Sequence, residues 1–364
     1  MKTIEIQEFF LTPNGSSMLQ HMYSLSDIHT STVLLKELRY SFEEAQHTLG
    51  LQEMEDIQWI ISPATILITG LQGDPGFPSS VSQSVDNYAT AFCRPRTDGQ
   101  IVIYVGGYEG PIHISTNENQ PIQEEWGTPR GLVRGIVRLA QDMGYQLPGF
   151  DGYLDIPFQP GRGLSSSSVF SSLILKALVP ELDFKVIPFL KDLVNKYQLI
   201  EQSFHGSTPL PLPFATGLSG GTLGRNSQNS IEVIENREDR WILGDLPLGI
   251  SLQIPDSSPA GTADSHLNLD ELVPQLFQSR KKWQIGKENT EFFESLEAKS
   301  KSVFGKTPLL LPYGTSLLEI RSFLAYFPPD YLDPRKWAEE MGQTRCMILK
   351  SEGRGTRIIP SFTD

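Results

Sequence analysis

The stretch P-F-Q-P-G-R-G-L-S-S-S-S-V-F-S-S-L-I-L-K-A-L, Pro157 to Leu178, decides how the rest of the chain reads. Ahead of it, Gly152 to Phe158 alternates Leu154, Ile156 and Phe158 with other residues, as a half-buried strand does. Behind it, Val169, Leu173 and Leu175 to Leu178 recur at helical spacing. Gly161 and Gly163 let the backbone turn tightly and approach a ligand closely. The serines Ser165 to Ser168 stand at the helix mouth, where one residue is enough for a cap. Strand, glycine turn and serine-rich helix start outline an anion cradle. The same letters also describe a capped loop that holds nothing, and the pattern alone leaves both readings open.

Length and composition narrow the classes. With 364 residues the chain has room for two domains. Hydrophobic residues at 39% and charged residues at 20% are ordinary for a globular protein, so neither disorder nor a membrane bundle is indicated. The net charge of −13 disfavours binding to nucleic acid or an acidic membrane, both of which need positive charge. Two cysteines, Cys93 and Cys346, make neither a disulfide framework nor a metal cluster, and the six histidines show no metal-ligand spacing. No apolar run reaches the roughly 18 residues of a membrane helix. Met1 to Phe10 carries Glu5 and Glu8 and lacks a signal-peptide core, so a cytoplasmic location is expected.

The segment Pro160-Gly-Arg-Gly-Leu-Ser-Ser-Ser resembles the phosphate loop of the GHMP small-molecule kinases, most closely the galactokinase pattern P-x-G-x-G-L-S-S-S-A-A. Gln159 replaces the leading proline, and Ser168 and Val169 replace the alanines. Trp126, the Gly131 to Gly135 helix and Gly149-Phe150-Asp151 resemble the approach to that loop. The resemblance covers about the first two thirds of the chain. It implies a two-domain α+β fold with the ligand cleft between domains, divided into residues 1–240 and 241–364. It further implies ATP held by Gly161, Arg162, Gly163, Leu164, Ser165, Ser166 and Ser167, with Ser167 helping to place magnesium, and a small sugar or polyol as acceptor.

Other family motifs are altered. Residues 59–70, W-I-I-S-P-A-T-I-L-I-T-G, then L-Q-G-D-P-G-F, resemble the galactokinase motif A-P-G-R-V-N-L-I-G-E-H-T-D-Y-N-G-G. Pro63, Gly70 and Asp74 match it, so the resemblance places Gly70 and Asp74 at the acceptor. Thr65 stands where the family has the arginine that serves the moving phosphate. A turn residue before proline is an equal reading of Asp74. The family's glycine-rich third motif is reduced to Glu352-Gly353-Arg354-Gly355. Between Asp192 and Asp239 there is no aspartate, although the family's catalytic aspartate belongs near Gly217-Leu218-Ser219-Gly220. No catalytic residue is therefore assigned. The letters G-L-S-G-G also fit a hydrolase nucleophile elbow, but Pro209, Pro211 and Pro213 oppose the strand that such an elbow requires. Two functions follow. One is an ATP-dependent kinase, slow for want of these groups. The other is a pseudokinase that binds sugar or nucleotide and signals to a protein partner.

Several local expectations follow from pattern. Pro63 predicts an edge strand or two short strands. Asp98-Gly99 predicts a hairpin joining the strands on either side, with Arg94 and Arg96 in a solvated turn. Helices are expected over Thr30 to Leu49, Thr128 to Met143, Phe184 to Gln202, Leu267 to Trp283, Glu288 to Phe304 and Ser316 to Tyr326. Residues 205–229 read as a long irregular loop. Ser230 to Ile234 and Leu248 to Ile254 read as strands.

Overall fold

A computed structural model describes residues 1–12, 14–23, 28–70, 79–158, 160–184, 187–207, 210–226, 228–234, 239–250, 269–280, 285–313, 320–343 and 345–360. Its elements run α1 (Thr3–Leu11), α2 (Gly15–Tyr23), α3 (Ile28–Leu49), β1 (Gln58–Thr69), β2 (Ser80–Pro95), β3 (Gln100–Val105) and β4 (Ile112–Ser115). Next come α4 (Pro129–Asp142), β5 (Phe150–Asp155), α5 (Ser166–Leu178), α6 (Ile187–Ile200), α7 (Pro211–Ser219), β6 (Thr222–Arg225) and β7 (Ile231–Ile234). The remainder is β8 (Arg240–Ile250), α8 (Leu269–Arg280), α9 (Lys287–Phe304), β9 (Leu309–Tyr313), β10 (Ile320–Phe327), α10 (Pro334–Met341), β11 (Met347–Lys350) and β12 (Arg357–Ile358).

Two sheets carry the chain. The first has the order β12-β1-β2-β5-β3-β4, with β6 beside β2 and β7 beside β6. The second is antiparallel, β11-β8-β10-β9. One face of the first sheet packs on α4, α5, α6 and α7 through Ile66, Val85, Ile136, Leu173 and Phe214. The other face is covered by α1, α2 and α3, where Trp59 and Phe92 meet Phe9, Phe10 and Phe42. Alternation along β8 sends Trp241 and Leu243 into the first core and Ile242 toward α9 and α10. The Trp241 indole N–H donates to Gln83 Oε1 at 2.7 Å, so the two sheets share a hydrogen bond within a shared core. Although β8 opens the second sheet, β12 returns to pair with β1 in the first.

Several local expectations give way to tertiary pairing. Pro63 does not split its segment: β1 is one strand whose register shifts between Pro63 and Ala64. Its pairing with β12 covers only Ile60 and Ile61, so the proline's missing N–H costs no ladder bond on that side. The Asp98-Gly99 hairpin does not form, because β5 lies between β2 and β3. Arg94 and Arg96 are only partly solvated, and each reaches Asp151 on β5 at 2.7 Å. Close approach by Gly149 completes this clasp, since a Cβ there would lie 2.2 Å from the Gln100 carbonyl. Residues 320–326 of the expected helix Ser316 to Tyr326 instead lie in β10, paired on both sides by β8 and β9. Within residues 205–229 lie α7 and β6. Pro211 and Pro213 sit in the first turn of α7, where the absent N–H has no intrahelical partner to lose.

Asp151 is 8% exposed while its two arginines remain 30% exposed. Asp151→Ala is expected to destabilise the fold by about 2–3 kcal/mol, below the range for a fully buried pair because the guanidiniums regain water. Urea unfolding of the two proteins measures it.

Candidate nucleotide site at the glycine-serine loop

The loop after β5 follows the expected order of strand, glycine turn and helix. Gly161 and Gly163 have φ of 80° and 90°, values that L side chains rarely adopt. Ser165, the N-cap of α5, is also left-handed at φ 50°, ψ 47°, and its hydroxyl does not cap the helix. A non-glycine residue held there costs about 1–2 kcal/mol. Ser165 Oγ is buried and makes no hydrogen bond among the described residues. The serines therefore do not serve as caps, and the helix mouth keeps its free N–H groups and an unspent hydroxyl.

What holds the turn is the second sheet. The Tyr313 hydroxyl, at the end of β9, donates to the Gly163 carbonyl at 2.8 Å and accepts from the Leu67 N–H at 3.0 Å. Burial pushes this phenol well above its ordinary range, so it stays a donor. A Cβ on Gly163 would lie 2.0 Å from the Tyr313 ring. The glycine is needed first for that aromatic face and not for room at a ligand. Arg162, although exposed, pairs with Asp245 of β8 at 2.9 Å.

Beside the loop lies a cavity of about 490 Å³. Val105, Leu132, Ile156, Phe158 and Phe170 line it, together with Ser166 and Ser167 at the helix mouth and His205 beyond α6. Its size suits a small ligand. His205 was not singled out from the sequence. It ends a one-turn π-helix, Glu201–His205, and no sequence signal marks that turn. Burial lowers the imidazole pKa, which keeps the ring neutral near pH 7.

The remaining motif positions are separate from this cavity. Thr65, at the family's arginine place, is buried, and its Oγ1 makes no hydrogen bond among the described residues. A Cβ on Gly217 would sit 3.6 Å from the Thr65 methyl group, so these two altered positions do meet. Glu352-Gly353-Arg354-Gly355 forms no cradle at the loop. It packs under α7, where a Cβ on Gly355 would lie 1.9 Å from the Leu218 carbonyl. Gly70 has φ of 125°, and a Cβ there would be 2.4 Å from that of Ser80. Asp74 lies outside the described residues. Ser219 ends α7 and its hydroxyl donates to the Gly220 carbonyl, an arrangement unlike a nucleophile elbow. Among the described residues no group of three or more His, Cys, Asp or Glu is placed to hold a metal, and no helix is long and apolar enough to cross a membrane.

Two measurements follow. Gly163→Ala is expected to cost about 3 kcal/mol or more, from ring overlap added to backbone strain. Gly161→Ala is expected to cost only about 1–2 kcal/mol, since nothing described lies within 4 Å of its Cβ position. Thermal unfolding of the pair separates packing from strain.

Glu201 accepts from the Leu210 N–H at 2.8 Å just ahead of α7, and burial raises its carboxyl to about 7 from an ordinary 4.5. Between those values the native state keeps a proton that the unfolded chain releases. Stability therefore falls as pH rises through that window. Glu201→Gln, which retains an acceptor for Leu210, is expected to flatten that fall by up to about 3 kcal/mol. Urea unfolding at about pH 5 and about pH 8 reads the difference.

Comparison with known proteins places the fold. No family model matches the sequence, and no curated relative matches it. Among solved structures, galactokinase from Lactococcus lactis, complexed with galactose, is similar at TM-score 0.57 and 16% identity. That match covers 90% of this chain and 100% of the galactokinase. Mevalonate kinase from Methanococcus jannaschii is similar at TM-score 0.54 and 11% identity, over 84% of this chain and 99% of the other. A putative sugar kinase from Campylobacter jejuni gives TM-score 0.54 and 11% identity, over 83% and 98%. The glycine-serine loop and these matches converge: the chain has the two-domain α+β fold of the GHMP kinases, with galactokinase among the structures it resembles.

Proposed function

We propose that the chain binds a nucleoside triphosphate at the Gly161 to Ser167 loop and transfers its terminal phosphoryl group, slowly, to a hydroxyl of a small sugar or polyol. The observation that carries this reading is Ser165: a strained residue with a buried, unpaired hydroxyl at the mouth of the 13-residue helix α5. An anion placed there would take up that hydroxyl together with the free helix N–H groups. The backbone of Gly161, Arg162, Gly163 and Leu164 would surround the phosphates, and Ser166 and Ser167 would face the cavity. The donor set is neutral and oxygen-rich, which fits magnesium arriving with the nucleotide, held mainly by phosphate oxygens and assisted by the Ser167 hydroxyl. Magnesium so bound would neutralise charge on the phosphates. Gly70 and Asp74 would contact the acceptor.

The chain's own residues set the expected rate. Phosphoryl transfer depends on positioning and charge neutralisation. Where the family has an arginine this chain has the neutral Thr65, and Gly217 beside it has no side chain. Without a carboxylate base the acceptor hydroxyl loses its proton late. Each missing contact is worth ~3 kcal/mol at the barrier, and together they imply a deficit of about four orders of magnitude if additive. Catalytic groups that act as a unit rarely add, so this figure is an outer bound. Thr65→Arg alone is not expected to repair the site, because Thr65 is fully buried and the guanidinium would lack a counterion.

The second reading, a pseudokinase that reports ligand occupancy to a protein partner, is favoured by the same pairing of Thr65 with Gly217. Single-turnover transfer from ATP to a panel of sugars and polyols, beside calorimetry with the same ligands, tests both. Binding with slow transfer is the expected result. Binding with no transfer supports the second reading, and transfer at ordinary kinase rates overturns the assignment of slow chemistry. Gly217→Asp is likewise not expected to restore the rate, because Gly217 is buried beside Thr65 and the carboxylate would lack a counterion there.

A further inference from the structure

We propose that the Tyr313 hydroxyl is the positioning group of the phosphate site: it aims the Leu164 N–H at a bound anion and links the filling of that site to β1. The inference rests on the nucleotide reading above. It adds the residue that sets the aim of the loop and carries its occupancy to the strand that leads to Gly70.

The direction of every proton at this joint is fixed. The Leu67 N–H can only donate and the Gly163 carbonyl can only accept. The hydroxyl between them, at 3.0 Å and 2.8 Å, therefore accepts from the first and donates to the second. A trans peptide points its carbonyl and its N–H in opposite directions. The N–H that shares a peptide with the Gly163 carbonyl is that of Leu164, so the bond that holds the carbonyl turns this N–H away from Tyr313. It makes no hydrogen bond among the described residues. A head-to-tail row results, running from the Leu67 N–H through the Tyr313 hydroxyl to the Gly163–Leu164 peptide.

The surroundings keep that row in place. The register of β1 against β2 slips between Leu67 and Thr69, and its pairing with β12 covers only Ile60 and Ile61. At the slip the partners come from the second sheet and from α8: Tyr313 for the Leu67 N–H, and the fully buried Arg280 for the Ile68 and Pro312 carbonyls at 3.2 Å. Ile68 follows Leu67 and Pro312 precedes Tyr313, so Arg280 clamps the backbone beside both residues. Gly163 lies against the Tyr313 ring, which leaves its carbonyl little freedom to turn elsewhere. Donors and acceptors in such a row polarise one another. An anion on the Leu164 N–H makes the Gly163 carbonyl a better acceptor and then the hydroxyl a better acceptor, which tightens the bond from Leu67. Linkage is reciprocal, so whatever tightens β1 at Leu67 also favours the anion.

The test titrates inorganic tripolyphosphate and ATP into the full chain and into Tyr313→Phe, which keeps the ring against Gly163 and removes only the hydroxyl. Affinity for both is expected to fall at least about tenfold, the low end for a hydrogen bond to a charged acceptor. Ser300→Ala on α9 breaks buried bonds from the Trp337 indole and to the Lys306 carbonyl, each 2.9 Å long. It is expected to bind both ligands as the wild type does, which separates the role of Tyr313 from general loss of stability. Amide exchange supplies a second readout. In the wild type, saturating tripolyphosphate is expected to slow the Leu67 amide several-fold more than the Leu324 amide of β10, which reports only the stabilisation common to the fold. In Tyr313→Phe that excess is expected to vanish at saturation. Should Tyr313→Phe fail to fold, the exchange comparison in the wild type still decides. Unchanged affinity in Tyr313→Phe, or a wild-type Leu67 amide that slows no more than Leu324, overturns the role of Tyr313 and leaves the nucleotide reading standing. A wild-type protein that binds neither ATP nor tripolyphosphate overturns both.

Discussion

The hydroxyl of Tyr313 joins three parts of the molecule that are far apart in sequence. It accepts from the Leu67 main chain in β1 and donates to the Gly163 carbonyl in the glycine-serine loop, while its own backbone belongs to β9 of the second sheet. Arg280 of α8, fully buried, donates to the Ile68 and Pro312 carbonyls on either side of the same joint. A buried hydroxyl with both a donor and an acceptor to satisfy fixes distance and direction together. The loop conformation is therefore a property of both sheets. The exposed Arg162–Asp245 pair adds a contact of the same sense, worth only about 0–1 kcal/mol.

The seam between β1 and α7 explains how the fold tolerates the loss of charged residues at its centre. Ser62 and Thr356 share a hydrogen bond at 2.8 Å. Thr356 donates through both its N–H and its hydroxyl to the Gly217 carbonyl, and Ser84 donates to the Thr216 carbonyl at 2.8 Å. These hydrogen bonds join neutral groups to neutral partners, so none of them needs a buried counterion. Thr65 Oγ1 is the exception, with no partner among the described residues. The Glu352 to Gly355 segment belongs to this seam. Gly355 admits the Leu218 carbonyl of α7, and the Glu352 carboxylate accepts from the Tyr88 hydroxyl and from the Arg354 N–H. In this chain the segment that resembles a third motif serves packing, which is why its shortened glycine run still closes the structure.

Acidity is also set by packing. Asp86 of β2 is raised to about 6 by burial, with the nearby Glu352 adding to the effect and the Lys350 N–H opposing it. Burial and a neighbouring negative charge both oppose ionisation of Asp86. This region, like Glu201 above α7, disfavours a rise in pH. The chain's overall negative charge has no part in it, since the causes are local.

By itself the sequence determined what depends on neighbours along the chain. Thr128 and Pro129 mark the start of α4, Val179 and Pro180 mark the end of α5, and the glycine-serine loop declares a strand, a left-handed turn and a helix mouth. Tertiary structure decided whatever depends on partners brought from elsewhere. Ser316 to Tyr326 reads as a helix, but Ile320 to Phe327 forms a strand because β8 and β9 supply hydrogen bonds on both of its sides. Asp98-Gly99 turns the chain without making a hairpin because β5 inserts between β2 and β3, where its Asp151 gives Arg94 and Arg96 a shared partner. Pro211 and Pro213, which look like loop residues, begin a helix whose N-cap residue, Leu210, is held by Glu201. The reason for Gly163 is the Tyr313 ring, 150 residues away, and the place of His205 is fixed by Trp126 and Gly131. A hydrogen-bond partner or an approaching ring leaves no mark on the local pattern of the residue it constrains, so these assignments exist only once the chain is folded.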